Sequence, residues 1–413
     1  MHLRAFLKAG HWPTLVCAFL YFDVSFMAWT LPGGLATSIG PEFRLDPFQW
    51  GLMLAVPILS GSVLRLVLGV LSDHFGARRT ALLGLTLTLL PLLLGWLWAD
   101  RFTRVLAVGL LLGVAGASFA AALPLAGRWY PAQFQGLALG IAGAGNSGTA
   151  LASFFSPFLV RWLGSWHAVF GLALVPALLS LGALLFFAQD SPVRAPARRA
   201  AAYVAVLRQR DTWWFCLFYS VTFGGFVGFA MFLPTFFQGQ YGLGKESAGI
   251  FATLCVVAGS FLRPIGGYLA DRWGGIRVLT VLFAGVAAAM TCMTVLPSLP
   301  YATVLMFVGM GLLGTGNGSV FQLVPQRFAA DIGVVTGLVG AAGGLGGFGL
   351  NLVLGGLKKA VESYAAGFLL FALAACGCAV ALLYVSRSWE GVFVQRGGLA
   401  AADPEAAATP MPA

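Results

Sequence analysis

Two arginines stand where charged residues are rare. Arg65 lies in Ser60–Arg79, SGSVLRLVLGVLSDHFGARR, and Arg263 lies in Ala258–Arg277, AGSFLRPIGGYLADRWGGIR, two segments offset by 198 positions. Each arginine sits inside an apolar run, and eight residues later comes an aspartate, Asp73 or Asp271. At the helical rise of 1.5 Å per residue the guanidinium groups are about 12 Å from those polar ends. That is close to the middle of a hydrocarbon core about 30 Å thick. A charge at that depth costs a few kcal/mol even on lenient insertion scales. Bearing the cost twice, at matching positions, implies that both groups act on something negative, such as a small anion held between two halves. The plainer reading is that each arginine is structural and pairs with carbonyls inside its own bundle. One carboxylate shares their depth. Asp23, in Tyr-Phe-Asp-Val-Ser, lies ten residues beyond Pro13, about 15 Å into its span. It is a proton carrier, a counter-ion to one of the arginines, or a neutral hydrogen-bonded acid.

The elements that place these groups follow from composition. The 413 residues are 59% hydrophobic and 9% charged, with a mean hydropathy of +0.88. Soluble domains carry about 25% charged residues, so a soluble fold is excluded. Apolar stretches of spanning length occur at roughly 13–38, 50–72, 77–98, 103–127, 135–160, 165–188, 213–238, 247–270, 276–296, 302–324, 333–357 and 362–386. The fold expected is an all-α integral membrane protein of twelve helices in two six-helix bundles. The Pro- and Arg-rich stretch DSPVRAPARRAAAYVAVLRQRD divides it, giving a first bundle over 1–189, a linker over 190–212 and a second bundle over 213–386. The tail, 387–413, reads as disordered. A parallel duplication of this kind places a site at the midplane between the halves.

The net charge of +10 would suggest nucleic acid until the charges are placed. Of 24 Lys and Arg, fifteen fall on the side that holds both termini, seven on the opposite side, and two are Arg65 and Arg263. By the positive-inside rule both termini are cytoplasmic and the basic balance is topology. All six cysteines lie in apolar spans without metal spacing. The four histidines are scattered, no nucleoside-binding loop occurs, and the first span is too long for a cleavable signal. Enzyme chemistry, a cofactor and a metal site are not expected.

The loops Gly69-x-x-x-Asp73-x-x-Gly76-x-Arg78-Arg79 and Gly267-x-x-x-Asp271-Arg272-x-Gly274-x-x-Arg277 resemble the loop motif of the major facilitator superfamily. The resemblance implies a gating role for Asp73, Arg78, Arg79, Asp271, Arg272 and Arg277, which pair across the cytoplasmic face and release as the halves rock. Two glycine-rich pairs of segments narrow the resemblance. GLLLGVAGASFAAALPLAGRWYP with GLALGIAGAGNSG, and GMGLLGTGNGSVFQLVPQRF with GVVTGLVGAAGGLGGFG, look like the signature segments of the nitrate/nitrite porter family. So does Gly-Ser-Phe-Leu-Arg263-Pro. That likeness implies a secondary transporter of nitrate or nitrite in the inner membrane, a monomer, running as proton symport or as nitrate/nitrite antiport.

The same resemblance implies that Arg65 and Arg263 bind the anion with Asn146, Tyr219, Phe223 and Phe119. Their depths agree, all roughly 12–18 Å from the cytoplasmic face. Tyr219 and Phe223, four apart, share a helix face. Planar guanidinium groups suit a flat trigonal anion, which they can grip bidentately, better than ammonium groups do. Ordinary helix packing would account for the aromatics equally well, and an interhelical hydrogen bond for Asn146. Gly140, Gly143, Gly145, Gly340, Gly343 and Gly344 read as residues that let helices slide and flex. Moving a monovalent anion inward against 100 mV opposes about 2.3 kcal/mol. Asp23 therefore leans the reading toward symport, with at least two protons per anion. A carrier for another small anion, such as a monocarboxylate or oxalate, needs the same arginines.

Overall fold

The computed structural model describes residues 3–192, 200–328 and 332–399. A short helix, α1 (Leu3–Ala9), precedes the first span, α2 (Trp12–Glu42), which is followed by α3 (Pro47–Phe75) and α4 (Ala77–Leu97). The fourth span is built from α5 (Phe102–Gly116) and α6 (Phe119–Gly127). The fifth is built from α7 (Ala132–Gly143), a tighter 3-10 turn at Ala144–Ser147, and α8 (Gly148–Leu163). The sixth is α9 (Trp166–Phe187). After α10 (Ala200–Leu207) the second half runs through α11 (Arg210–Tyr241) to an eighth span made of α12 (Lys245–Phe261) and α13 (Arg263–Trp273). It then continues through α14 (Gly275–Met293), α15 (Leu299–Arg327), α16 (Ile332–Val361) and α17 (Ala365–Trp389).

Among the described residues, eleven stretches are long and apolar enough to cross a membrane. The twelfth, expected over 135–160, is interrupted, and its two pieces of 12 and 16 residues are each too short to qualify alone. Among the described residues there are no strands.

The 198-residue repeat has a backbone reason. Gly76 and Gly274 sit at matching turns between the second and third spans of each half, at φ +93° and +92°. Only glycine adopts that region without strain, so each loop motif keeps its glycine. Within each half the fourth span packs on the second through glycine. A Cβ at Gly113 would lie 2.5 Å from the Gly61 nitrogen, and one at Gly314 2.6 Å from the Gly259 Cα. Close approach of this kind binds helices where lipid provides no hydrophobic drive.

The two faces differ in how tightly the halves meet. On the face away from the termini, Lys359 bonds Asp46 at 2.9 Å and Arg161 lies 3.6 Å from Glu246, both pairs joining one half to the other. There α3 and α16 touch backbone to backbone. A Cβ on Gly51 would stand 2.5 Å from the Asn351 carbonyl oxygen, and one on Gly355 2.5 Å from that of Pro47. On the terminus face the pairs Arg128–Asp73 and Arg327–Asp211, each 2.6 Å, lie within single halves. Gly140 and Gly143 face open space there, with nothing within 4 Å of an added Cβ. The molecule is closed on the far face and looser on the face of the termini.

The segment after α17 does not leave the molecule at once. Glu390–Leu399 folds back, and the Gly398 and Gly397 carbonyls accept from the Gly275 and Arg277 amides at 3.2 Å each. These are orphan N–H groups at the start of α14. The disordered tail expected over 387–413 is therefore structured to Leu399, because α14 lacks a side-chain cap. Residues 400–413 and linker residues 193–199 lie outside the described residues.

Candidate anion site between the halves

Three spans are broken, and each break adjoins a residue singled out above. The fourth breaks at Ala117–Ser118, just before Phe119. The fifth breaks at Ala144–Ser147, which contains Asn146. The eighth breaks at Leu262, just before Arg263, where Pro264 can donate no amide and its ring crowds the preceding turn. Arg65 has Leu66 after it instead of proline, and its helix continues unbroken.

Arg65 is 2% exposed. Its Nε donates to the Gly116 carbonyl at 3.1 Å and its Nη1 to the Gly340 carbonyl at 2.9 Å, so the second bond crosses to the other half. Its Nη2 has no partner among the described residues. Arg263 is half-buried, with Nη2 3.4 Å from the Tyr219 hydroxyl and Nη1 buried without a partner. Each guanidinium group thus keeps a buried nitrogen without a partner among the described residues, where the sequence suggests two open forks. Carbonyls do engage Arg65, but from two helices that include the opposite half, unlike the bundle-internal pairing the plainer reading envisages.

Aromatic rings enclose the two charges. The Phe119 ring lies between them, 5.9 Å from the Arg65 Cζ and 5.3 Å from the Arg263 Cζ. Phe223 is 4.6 Å from Arg65 and stacks on Tyr219 at 5.2 Å with 3° between the planes. Gly343 makes room for both, since a Cβ there would press on the Tyr219 ring and stand 3.1 Å from that of Phe223. Among the described residues, no carboxylate lies within ion-pair distance of either arginine. Two unpaired like charges in a low-dielectric setting are costly, and an anion bound between them would offset that cost.

Asn146 is 1% exposed, and neither atom of its amide has a partner among the described residues. Its neighbour Ser147 donates to the Asp23 Oδ1 at 2.6 Å. Asp23 is 8% exposed and packed against the break, since a Cβ on Gly145 would stand 2.9 Å from its backbone nitrogen. The counter-ion alternative for Asp23 is not realised in this conformation, where its partner is a hydroxyl on the turn that presents Asn146.

The remaining glycines divide by setting. Gly145, Gly343 and Gly344 are points of close approach, Gly344 pressing on Ser62 of α3, whereas Gly140 and Gly143 face open space. Gly340 supplies a carbonyl to Arg65. The helix that carries three of them, α16, is continuous. Of the loop-motif residues, Asp73 pairs with Arg128. The Arg78 amide donates to Asp190 at 2.9 Å, and the Arg277 amide to Gly397. Arg79, Asp271 and Arg272 are exposed. No ion pair joins the halves on this face among the described residues.

Two wall residues escape the sequence reading. Trp29, held by its indole N–H on the Pro57 carbonyl at 2.7 Å, lies 5.5 Å from the Arg65 Cζ. Phe321 meets Tyr219 at 4.9 Å and Phe119 at 6.2 Å. The repeat does not single out Phe321, because aligning SFAAALP with SVFQLVP on their prolines sets Phe119 against Val320, one position out of register.

The Major Facilitator Superfamily family model matches residues 17–350. "Probable nitrate/nitrite transporter NarK2" of Mycobacterium tuberculosis is 36% identical over 381 residues, covering 89% of this chain and 95% of the relative. "Nitrite extrusion protein" of Bacillus subtilis is 34% identical over 368 residues, covering 88% and 91%. The crystal structure of a D-xylose-proton symporter superposes with a TM-score of 0.73 at 16% identity, over 94% of this chain and 99% of that one, a likeness of fold.

Proposed function

The chain belongs to the Major Facilitator Superfamily, and on that premise we propose that it carries nitrate, nitrite or both across the cytoplasmic membrane by alternating access. The observation that carries the reading is the pair of arginines, one from each half. They share the Phe119 ring; among the described residues each keeps a buried guanidinium nitrogen without a partner, and no carboxylate lies within ion-pair distance of either. The flat rings of Phe119, Tyr219 and Phe223 beside the two charges suit a planar, weakly hydrated anion. Asn146 adds a neutral donor from the broken fifth span. Both termini lie in the cytoplasm, so the conformation described is closed outward, and the protein works as a monomer. Among the described residues the loop-motif arginines and aspartates make no cross-half ion pair, as expected where that face has parted.

Asp23 favours proton symport over exchange. A buried carboxylate hydrogen-bonded to the turn that presents Asn146 can couple its protonation to the site without touching the anion. Nitrate uptake into proteoliposomes tests both levels, with and without a proton gradient, internal nitrite, and competing oxalate or monocarboxylate. Uptake driven by the gradient alone and abolished in Asp23→Asn establishes symport. Uptake that requires internal nitrite and survives Asp23→Asn establishes exchange. Inhibition by oxalate without nitrate flux overturns the substrate.

A further inference from the structure

Asn317 of α15 is fully buried, at 0% exposure, and neither its Nδ2 nor its Oδ1 has a partner among the described residues. A buried amide without partners is costly to a fold, so such a group calls for a reason. Its surroundings supply one. A Cβ on the preceding Gly316 would lie 2.7 Å from the Thr222 Cγ2, next in chain to Phe223. A Cβ on the following Gly318 would press on the Arg263 carbonyl and stand 2.7 Å from the Gly267 nitrogen. Four residues on, and so on the same helix face, is Phe321, whose ring meets Tyr219 and Phe119. Asn317 thus stands one turn from the aromatic wall, beside the backbone of Arg263, in the half opposite Asn146. Asn146 is in the same state, buried with both amide atoms unpartnered.

We propose that Asn317 is a specificity-determining residue, its Nδ2 donating to an oxygen of the bound anion that the arginines do not reach. The proposal rests on the reading of the site as one for nitrate or nitrite. Arg65 Nη2 and Arg263 Nη1 are buried guanidinium nitrogens without a partner among the described residues, one from each half. Two such groups can hold the two oxygens of nitrite. Nitrate carries a third, which requires a further donor, and a neutral amide supplies it without adding a third positive charge to the pocket. Asn317 therefore favours the trigonal anion over the bent one.

The test is nitrate and nitrite binding to the purified full-length chain, with the melting temperature of the anion-free protein measured alongside. In Asn317→Leu, which replaces the amide by an apolar group of similar shape, nitrate affinity falls about 10-fold or more, as for loss of a hydrogen bond to a charged group. Nitrite affinity changes less than about 3-fold on the same reasoning, and the anion-free protein melts no lower than wild type. Asn317→Ser, with less bulk, shows the same split if the leucine variant fails to fold. Equal losses for the two anions, no loss, or a lower melting temperature with unchanged affinities overturns the proposal and makes Asn317 structural. Wild type that binds nitrate, loses it in Arg263→Lys and is indifferent to Asn317→Leu overturns this proposal alone. Wild type that binds neither anion overturns it together with the substrate reading.

Discussion

Alanine at Gly51 should open the far face. In the closed arrangement its methyl group would sit 2.5 Å from the Asn351 carbonyl oxygen and 3.1 Å from the Gly355 Cα. Both are backbone atoms of α16 and cannot rotate away. Ordinary contact begins near 3.4 Å, so α3 and α16 must part by most of an ångström. Overpacking of this kind costs about 1–3 kcal/mol. Only the far-face-closed conformer bears that cost, so the closed-to-open ratio falls by about 5- to 150-fold. Spin labels at Arg44 and Glu362, in a background with Cys292 and Cys376 replaced by serine, read the separation of the halves on that face. The distance distribution of Gly51→Ala should move to longer values and nitrate flux should slow. Gly356→Ala is the control, because its methyl would meet only the Phe48 ring at 4.0 Å, and it should leave the distribution in place. An unchanged distribution in Gly51→Ala, or equal shifts in both variants, would refute the steric argument.

The Asp46–Lys359 latch should depend on pH. The Gln49 backbone N–H and the Lys359 ammonium hold the Asp46 carboxyl below the ordinary aspartate range. The Gln49 bond is local to α3, so only the Lys359 share of the depression favours the closed conformer, at pH above the ordinary aspartate value, and it is lost as the pH falls through the lowered one. Asp46→Asn, which keeps the helix cap, should mimic the acid state at neutral pH in the same label measurement. Gly274→Ala should lower the melting temperature, forcing about 1–3 kcal/mol of backbone strain at φ +92°. Gly69→Ala, in a helix with nothing within 4 Å, should not, and equal melting temperatures for the two would refute the backbone reason for the motif glycine. Asn317→Leu should separate nitrate from nitrite affinity as set out above, with calorimetry of both anions as the check.

The spans, the duplication and the two arginines were legible because each depends on local composition. A charge inside an apolar run, or an aspartate eight residues past it, needs no tertiary knowledge to notice. The helix breaks were not legible. Pro264 gave a hint for the eighth span, but Ala117–Ser118 and Ala144–Ser147 contain no proline, and the second of these turns packs on Asp23, to which Ser147 donates. Donor use was likewise hidden. That Arg65 spends two nitrogens on carbonyls of Gly116 and Gly340 follows from how the halves meet. Asn317 was visible in GTGNGSVF but was read there for its glycines, and only burial without partners sets its amide apart. The fold-back of Glu390–Leu399 onto α14 involves main-chain bonds that composition does not encode.

The most direct test of the central claim is nitrate affinity of the purified protein, wild type against Arg65→Lys and Arg263→Lys, with melting temperatures recorded in the absence of anion. Each lysine keeps the charge but loses the planar donor, so each variant should bind nitrate about 10-fold or more weakly while remaining folded. Unchanged affinity in either variant would contradict the assignment of a shared anion to both arginines.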